Sequence, residues 1–266
     1  MTRLKDIAQR AGLAVMTISK ALRDKPDVSA ATKTRIKLLA QQMGYVPNSM
    51  AQGLRNRTTK LFGLVISSSA DPIFSRVLLA LEERAHELGC EIILTHTLNI
   101  PEREDACIRR LLSRRVDGLF ISPVYRLSPE SPTYQELLRR GVPTVILGHC
   151  APFCSQFVNV ETDDLIASYK ATQHLLQLGH KRIAFFSGPP ANPWAQERFE
   201  GYRRALRDAL LEVDDRLVFQ SGNTIQDGAK AALQTINEGP KATAVQTVND
   251  LVAIGAANAF LNQGIR

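Results

Sequence analysis

The sequence predicts two kinds of architecture in one chain: a small all-α unit at the N-terminus, then a larger α/β unit built on parallel sheets. Three observations carry this. Residues 1–46 show helical apolar spacing and no strand pattern. From Leu61 onward, short apolar runs alternate with amphipathic stretches. Charge divides at the same place: residues 1–60 hold 12 Lys+Arg against 3 acids, a net +9, while residues 61–266 sum to −2. The 266 residues, 44% hydrophobic, are enough for a small module plus real α/β cores.

In the first unit, Leu4, Ile7, Ala8 and Ala11 fall at i, i+3, i+4, i+7, so Leu4 to Ala11 is expected as a helix, capped by Thr2 and stopped by Gly12. Val15 to Arg23 reads as a second short helix with Ile18, Ala21 and Leu22 inward, leaving Val15, Met16, Ser19 and Lys20 outward. Ser29 caps a third, Ala30 to Met43, whose Ile36, Leu39, Ala40 and Met43 complete the core before Gly44. Two short helices across a Gly-containing turn, with a third behind, make a helix-turn-helix layout, in which the second helix presents its N-terminal residues to the major groove. A compact basic segment suits phosphate neutralisation, although any small three-helix bundle shows similar spacing and a basic surface can be merely solvated.

Residues 47–59 are polar and basic and too short to be a stable isolated helix in water. Beyond them, strands are expected at Phe62 to Ile66, Glu91 to Thr95, Gly118 to Ile121, Thr144 to Leu147, Phe157 to Val160, Arg182 to Phe186, Leu217 to Gln220 and Thr243 to Thr247. Helices are expected at about 74–88, 102–115, 132–140, 163–178, 195–211, 225–238 and 251–263. Strand, helix, strand in repetition means parallel sheets covered by helices, and the repeat falls into halves near residue 160. The expected organisation is a helix-turn-helix domain at 1–46, a hinge at 47–59, and two halves of the α/β unit at 60–160 and 161–266. Two such sheets facing a cleft bind ligands at the strands' carboxyl ends.

Several chemistries lose support. No G-x-G-x-x-G follows the first strand, and neither a phosphate-binding P-loop nor a G-x-S-x-G elbow occurs. Cys90, Cys107, Cys150 and Cys154 form no second cluster and are read as free thiols, and the five histidines make no ligand pair. Neither metal nor cofactor is expected. No apolar run approaches membrane-helix length, and the N-terminus lacks a signal-peptide core, so the expectation is a cytoplasmic protein without a membrane partner.

The residues themselves resemble the lactose-repressor (LacI/GalR) family of bacterial transcription regulators. Leu4-Lys5-Asp6-Ile7-Ala8, Ala11-Gly12-Leu13, Val15, Thr17-Ile18-Ser19-Lys20 and Leu22 carry the resemblance, followed by Val28-Ser29, Thr32, Gly44-Tyr45, Pro47-Asn48, Ala51 and Leu54. It continues through Asp71-Pro72, Phe74, Arg115-Val116-Asp117-Gly118, Gly179-His180-Lys181-Arg182, Ser187-Gly188-Pro189, Arg198, Gly201-Tyr202 and Asn249-Asp250. The resemblance implies a helix-turn-helix headpiece joined to a periplasmic-binding-protein-like sensor, a homodimer on a pseudo-palindromic operator, and a small effector, a sugar or sugar acid first. It implies that Val15 and Met16 choose operator bases, while Thr17, Ser19, Lys20, Ser29, Thr32 and Asn48 mostly hold the DNA backbone, with Arg23, Ala51 and Arg55 also placed at the DNA. Apolar Val15 and Met16 suit thymine methyls, whereas Lys20 can donate to guanine or phosphate. The hinge is implied to fold on DNA and to push Leu54 into the minor groove as a wedge; a plain linker is the alternative.

In the sensor, the resemblance makes Arg198 the cleft arginine that grips the effector, with Phe74, Asn192, Trp194, Asn223, Asn249 and Asp250 at or near effector positions. A surface ion pair of Arg198 with Glu197 or Glu200 is the plainer possibility. Four departures stand out. Ala14 replaces the usual serine cap of the recognition helix, a loss of about 1 kcal/mol. Gly53 weakens the hinge helix by roughly 1 kcal/mol relative to Ala. Gly148-His149 stand where an acidic residue is usual, which removes an expected sugar-hydroxyl acceptor and leaves His149 among the effector-binding candidates. The chain ends at Arg266, well short of where family members end, so an incomplete C-terminal half is expected. A sugar-binding protein without DNA regulation, or an α/β enzyme, remain the competing readings; the absence of a paired acid/base or nucleophile motif argues against the enzyme.

Overall fold

A computed structural model describes residues 2–46, 58–238 and 241–265. The chain divides into two compact units, Met1–Thr59 and Lys60–Arg266.

The first unit holds α1 (Leu4–Ala11), α2 (Val15–Leu22) and α3 (Ala30–Gln42). Their shared core is Ile7, Ala8, Ala11, Ile18, Ala21, Val28, Ile36 and Ala40. Gly12, at φ 66°, ends α1 in the left-handed conformation that glycine adopts without a Cβ clash. The expected Thr2 cap is corrected. The N-cap is Arg3, whose N–H donates to Asp6 Oδ2 at 2.8 Å, while the Thr2 hydroxyl donates to Met43 O at 2.7 Å. Thr2 therefore ties the start of the chain to the end of α3 instead of capping its own helix. Ser29 does cap α3, its hydroxyl accepting from Thr32 N at 3.3 Å.

The second unit opens with β1 (Leu61–Ile66), α4 (Pro72–Glu87), β2 (Glu91–His96), α5 (Pro101–Ser113), β3 (Gly118–Ile121), α6 (Pro132–Arg140), β4 (Thr144–Leu147) and β5 (Val158–Val160). It continues with α7 (Asp164–Gln177), β6 (Ile183–Ser187), α8 (Pro193–Asp208), β7 (Val218–Gln220), α9 (Ile225–Glu238), β8 (Ala244–Thr247) and α10 (Asp250–Asn262). One sheet runs β2-β1-β3-β4-β5 and the other β7-β6-β8, all pairs parallel. Two helices begin before their apolar periodicity does. Pro72 and Pro193 occupy their first turns, where a missing N–H costs nothing, so α4 and α8 start two residues earlier than the spacing predicts. At the other end, Leu210 at φ 57° stops α8 short of the expected 211.

Each sheet has its own core. Val65, Leu119, Ile121 and Ile146 pack with Ile108, Leu111, Tyr134 and Phe153 in the first. In the second, β6 contributes Ala184 and Phe186 to one face and Ile183 and Phe185 to the other. Small residues set the helix spacing: a Cβ on Gly255 would stand 1.8 Å from Ile225 O, and one on Gly201 2.3 Å from Leu165 O. α9 against α10, and α7 against α8, thus pack backbone to backbone.

One charge lies fully inside the first core. Glu104, on α5, accepts from Val124 N–H at 2.7 Å and Tyr134 O–H at 3.0 Å and pairs with Arg126. Burial nevertheless pushes its carboxyl up to about 7, because these donors offset only part of the desolvation. A carboxyl raised above its unfolded value of 4.5 holds protons more tightly when folded, so its contribution is complete below pH 4.5 and is lost as pH rises towards 7. Glu104→Gln, which cannot titrate, is expected to show a flatter stability profile than the unaltered protein between pH 4.5 and 7. Chemical denaturation across that range checks this; parallel profiles would show that Glu104 stays ionised.

Candidate functional site

Two groups of candidate residues are laid out, one in each unit. In the first unit, α2 begins at Ala14, whose extended backbone (φ −63°, ψ 144°) suits a cap but whose side chain supplies none. Val15 and Met16 follow with 45% and 57% of their surface exposed, and Leu38 and Val46 elsewhere in this unit are exposed as well. Ile18 and Ala21 of the same helix are fully buried, so α2 has one face inward and these two residues outward.

The polar residues around them are held in place. Arg23 donates from Nε to Ser19 O at 2.9 Å and from Nη2 to Ser19 Oγ at 3.0 Å. Lys20 is ion-paired with Asp27, so it is not the free donor its position implies. The Ser29 and Thr32 hydroxyls lie 2.8 Å apart at the start of α3. Thr17 sits in the first turn of α2, its N–H donating to Ala14 O at 2.9 Å. Asn48, Ala51, Leu54 and Arg55, with Gly53, lie outside the described residues.

In the second unit, the candidates follow the carboxyl ends of parallel strands: Phe74 after β1, His149 after β4, Asn192 and Trp194 after β6, Asn223 after β7, and Asn249 and Asp250 after β8. Arg198 stands one turn into α8 from Trp194, its guanidinium 5.0 Å from the indole ring. It donates to Asp164 Oδ1 from Nε at 2.8 Å, approaches the same oxygen through Nη2 at 2.7 Å, and reaches Val248 O through Nη1. The partner of Arg198 is therefore Asp164 at the start of α7, whereas Glu200 pairs with Arg203 and Arg207.

His149 meets the same network from the other side. Its Nε2 lies 2.8 Å from Asp164 Oδ2 and 3.4 Å from Glu197 Oε2, and its Nδ1 2.8 Å from Glu161 Oε2. Gly148, at φ 109°, turns the chain there, and Tyr125 O–H donates to His149 O at 2.8 Å. Burial alone would lower the His149 pKa; the Asp164 and Glu161 hydrogen bonds and the Glu197 charge raise it on balance. Burial raises the Glu197 carboxyl, as do Asp164 and Glu161 beside it, against the lowering by His149.

The structure thus joins His149, Trp194 and Arg198 in one cluster. Asn249 caps α10 through Val252 N–H at 2.8 Å and donates from Nδ2 to Asn223 O at 3.3 Å, forming a second, adjoining pair beside Val248. The Asn223 side-chain oxygen is buried and has no partner. Asn192 is the cap residue of α8 without a side-chain cap bond. Phe74 and Asp250 are not drawn into the cluster. Asp250 instead borders a cavity of about 490 Å³ with Pro72, Ile73, Arg76, Val77 and Ala80. Arg76 and Asp250 are the charged groups at its wall. Asp164 and Glu161 were not legible as site residues in the sequence; the only available signal is that each follows or closes the β5 end.

Among the described residues, no helix is long and apolar enough to cross a membrane.

Comparison with known proteins agrees with this layout. Residues 59–266 match the family described as periplasmic binding proteins and sugar binding domain of LacI family, and residues 3–48 match bacterial regulatory proteins, lacI family. The HTH-type transcriptional repressor PurR of Vibrio atlanticus is 30% identical over 268 residues, spanning 100% of this chain and 79% of the relative. The repressor CytR of Escherichia coli K12 is 26% identical over 263 residues, 99% of this chain and 76% of that protein. Among solved structures, the lac repressor dimer bound to operator and the anti-inducer ONPF superposes with a TM-score of 0.84 at 26% identity, covering 100% of this chain and 79% of that one. A complex of the regulator CelR with cellobiose gives 0.70 at 28% identity, covering 100% and 80%.

A serine restored at the uncapped start of α2 is expected to help it. Ala14→Ser should stabilise the first unit by about 1 kcal/mol, seen as a higher melting temperature; an unchanged melt would mean that Ala14 N–H neighbours are already satisfied by other groups.

Proposed function

The chain belongs to the LacI family of bacterial regulatory proteins, and on that footing we propose how its two units act as a cytoplasmic, effector-controlled repressor. The family's members compared above are transcriptional regulators, and this chain is a DNA-binding regulator with an α/β sensor unit. Its proposed form is a homodimer that places two α2 helices in successive major grooves of a pseudo-palindromic operator.

The observation that carries the DNA reading is the exposure of Val15 and Met16 at the N-terminal end of α2, inside a segment of net charge +9. Apolar side chains there read base edges by contact with thymine methyls. Thr17, Ser19, Arg23, Ser29 and Thr32 border α2 and α3 as hydroxyl and guanidinium donors to phosphate. Lys20 joins them once its pairing with Asp27 opens, an exchange of one ion pair for another that costs little at 40% and 50% exposure. In the hinge, Asn48, Ala51, Leu54 and Arg55 are proposed to engage the minor groove, Leu54 as the wedge.

The proposed effector contacts are His149, Trp194, Arg198, Asn192, Asn223 and Asn249, with Phe74 and Asp250 at the margin. The class is a sugar before a sugar acid, because Asp164 already neutralises Arg198 and Glu161 and Glu197 add negative charge. The indole supports a sugar's apolar face, and the amides and carboxylates bond its hydroxyls. Effector and operator then weaken each other's binding reciprocally.

Selection from random duplexes, followed by gel shifts against salt, tests this. A steep fall of affinity with salt and a clear preference for the selected site are expected. Val15→Ala or Met16→Ala should relax preference at particular base pairs by about 1–3 kcal/mol, and Leu54→Ala should reduce bending. Equal affinity for selected and scrambled duplexes would overturn the regulator reading.

A further inference from the structure

The cluster that ties Arg198 to His149 has the stereochemistry of a ligand set. Three donor atoms, His149 Nε2, Asp164 Oδ2 and Glu197 Oε2, all lie within 4.8 Å of one another. The two edges from His149 measure 2.8 and 3.4 Å. A tetrahedral ion with bonds of about 2.0–2.2 Å to imidazole nitrogen and carboxylate oxygen separates its ligand atoms by about 3.3 Å. The His149 edges bracket that value, and the Asp164–Glu197 edge is no longer than 4.8 Å, so an ion is seated once the half-exposed Glu197 carboxylate closes in.

The two inner ligands are also aimed from behind. Glu161 Oε2 takes the His149 Nδ1 side at 2.8 Å and is itself held by Asn159 Nδ2 at 2.6 Å, which leaves Nε2 for the cluster centre. Arg198 occupies Asp164 Oδ1, leaving Oδ2 facing His149, with the Thr162 hydroxyl donating to Oδ2 at 3.2 Å. Outer carboxylate and guanidinium partners of this kind fix the tautomer of a ligating histidine and the direction of a ligating carboxylate. Charge points the same way. Three carboxylates, Glu161, Asp164 and Glu197, face the imidazole against one standing cation, Arg198. Arg198, and His149 where it is protonated, offset at most two of the three, so the cluster stays anionic, partly out of water, and attracts a cation.

We propose that His149, Asp164 and Glu197 bind a divalent transition-metal ion of the zinc class, with a remaining coordination position for water or an effector oxygen. Imidazole with two carboxylates suits zinc and its borderline neighbours over calcium or magnesium. Since His149 follows β4 whereas Asp164 and Glu197 lie on α7 and α8, the ion would take ligands from both halves of the α/β unit. The site shares the cleft read above as the effector site, yet rests on side-chain geometry alone.

The test uses the full chain, stripped by chelation, titrated with Zn²⁺ by calorimetry and with Co²⁺ by visible absorption. One ion per chain is expected. Glu197→Gln and His149→Ala each remove a direct ligand and should each weaken it at least about tenfold, the lower end of what loss of an outer partner alone costs. Glu197 is 42% exposed, so its amide variant should keep the fold. Cys150→Ser with Cys154→Ser removes the neighbouring thiols and should leave affinity unchanged, and the Co²⁺ spectrum should lack a sulfur charge-transfer band. Absence of stoichiometric binding, undiminished binding by both ligand variants, or loss of binding in the thiol variant would overturn the site. Operator gel shifts on the same samples separate the readings: intact operator preference without zinc binding removes only the metal site.

Discussion

Asp164 is a carboxylate almost wholly removed from water that two partners, the Arg198 guanidinium and the His149 ring, share. A buried charge persists only when its lone pairs are filled, and here one oxygen faces the Arg198 guanidinium and the other the His149 ring. The consequence is architectural. Asp164 opens α7, Arg198 lies on α8, and His149 follows β4 of the other sheet, so satisfying one carboxylate sets the approach of the two halves. The same requirement orders the indole of Trp194 under Arg198 and the backbone carbonyl of Val248 above it.

Packing makes this network possible. α7 and α8 come close because Gly201 has no side chain to hold them apart, and Ser168, beside that glycine, bonds Arg198 O from α7. Behind them Gln246 of β8 accepts from Thr172 and donates to Ser168, which satisfies the buried hydroxyls of α7. The first sheet solves a similar problem differently. Glu104 is buried whole and gathers the loop at Val124 and the ring of Tyr134 around itself. In both halves a single interior carboxylate fixes loops that no strand pairing reaches.

The headpiece works with far less. Its core is mostly isoleucine and alanine, and short side chains let three brief helices approach closely enough to leave Val15 and Met16 outside. Tertiary ties replace intrinsic helix strength there. Thr2 reaches Met43, Arg35 reaches Ala11 O at 3.1 Å, and Lys37 pairs with Asp24 at 2.7 Å. An uncapped α2 is tolerable in such a setting, since helices this short owe most of their stability to packing.

Local chemistry alone determined the elements and their order. β3, β4, α6 and α9 fall where apolar runs, prolines and glycines put them, because those signals act over a few neighbouring residues. The outward face of α2 was legible for the same reason. What only the tertiary structure decided were pairings between distant residues. Thr2 serves α3 and not α1, Lys20 is taken by Asp27, and Arg198 turns from its helical neighbours to Asp164, 34 residues away. The convergence of Glu161, Asp164 and Glu197 on His149 belongs to this class. Their spacing in the chain follows no short motif; parallel strands ending at one edge bring the loops together, and desolvation then selects which charges pair.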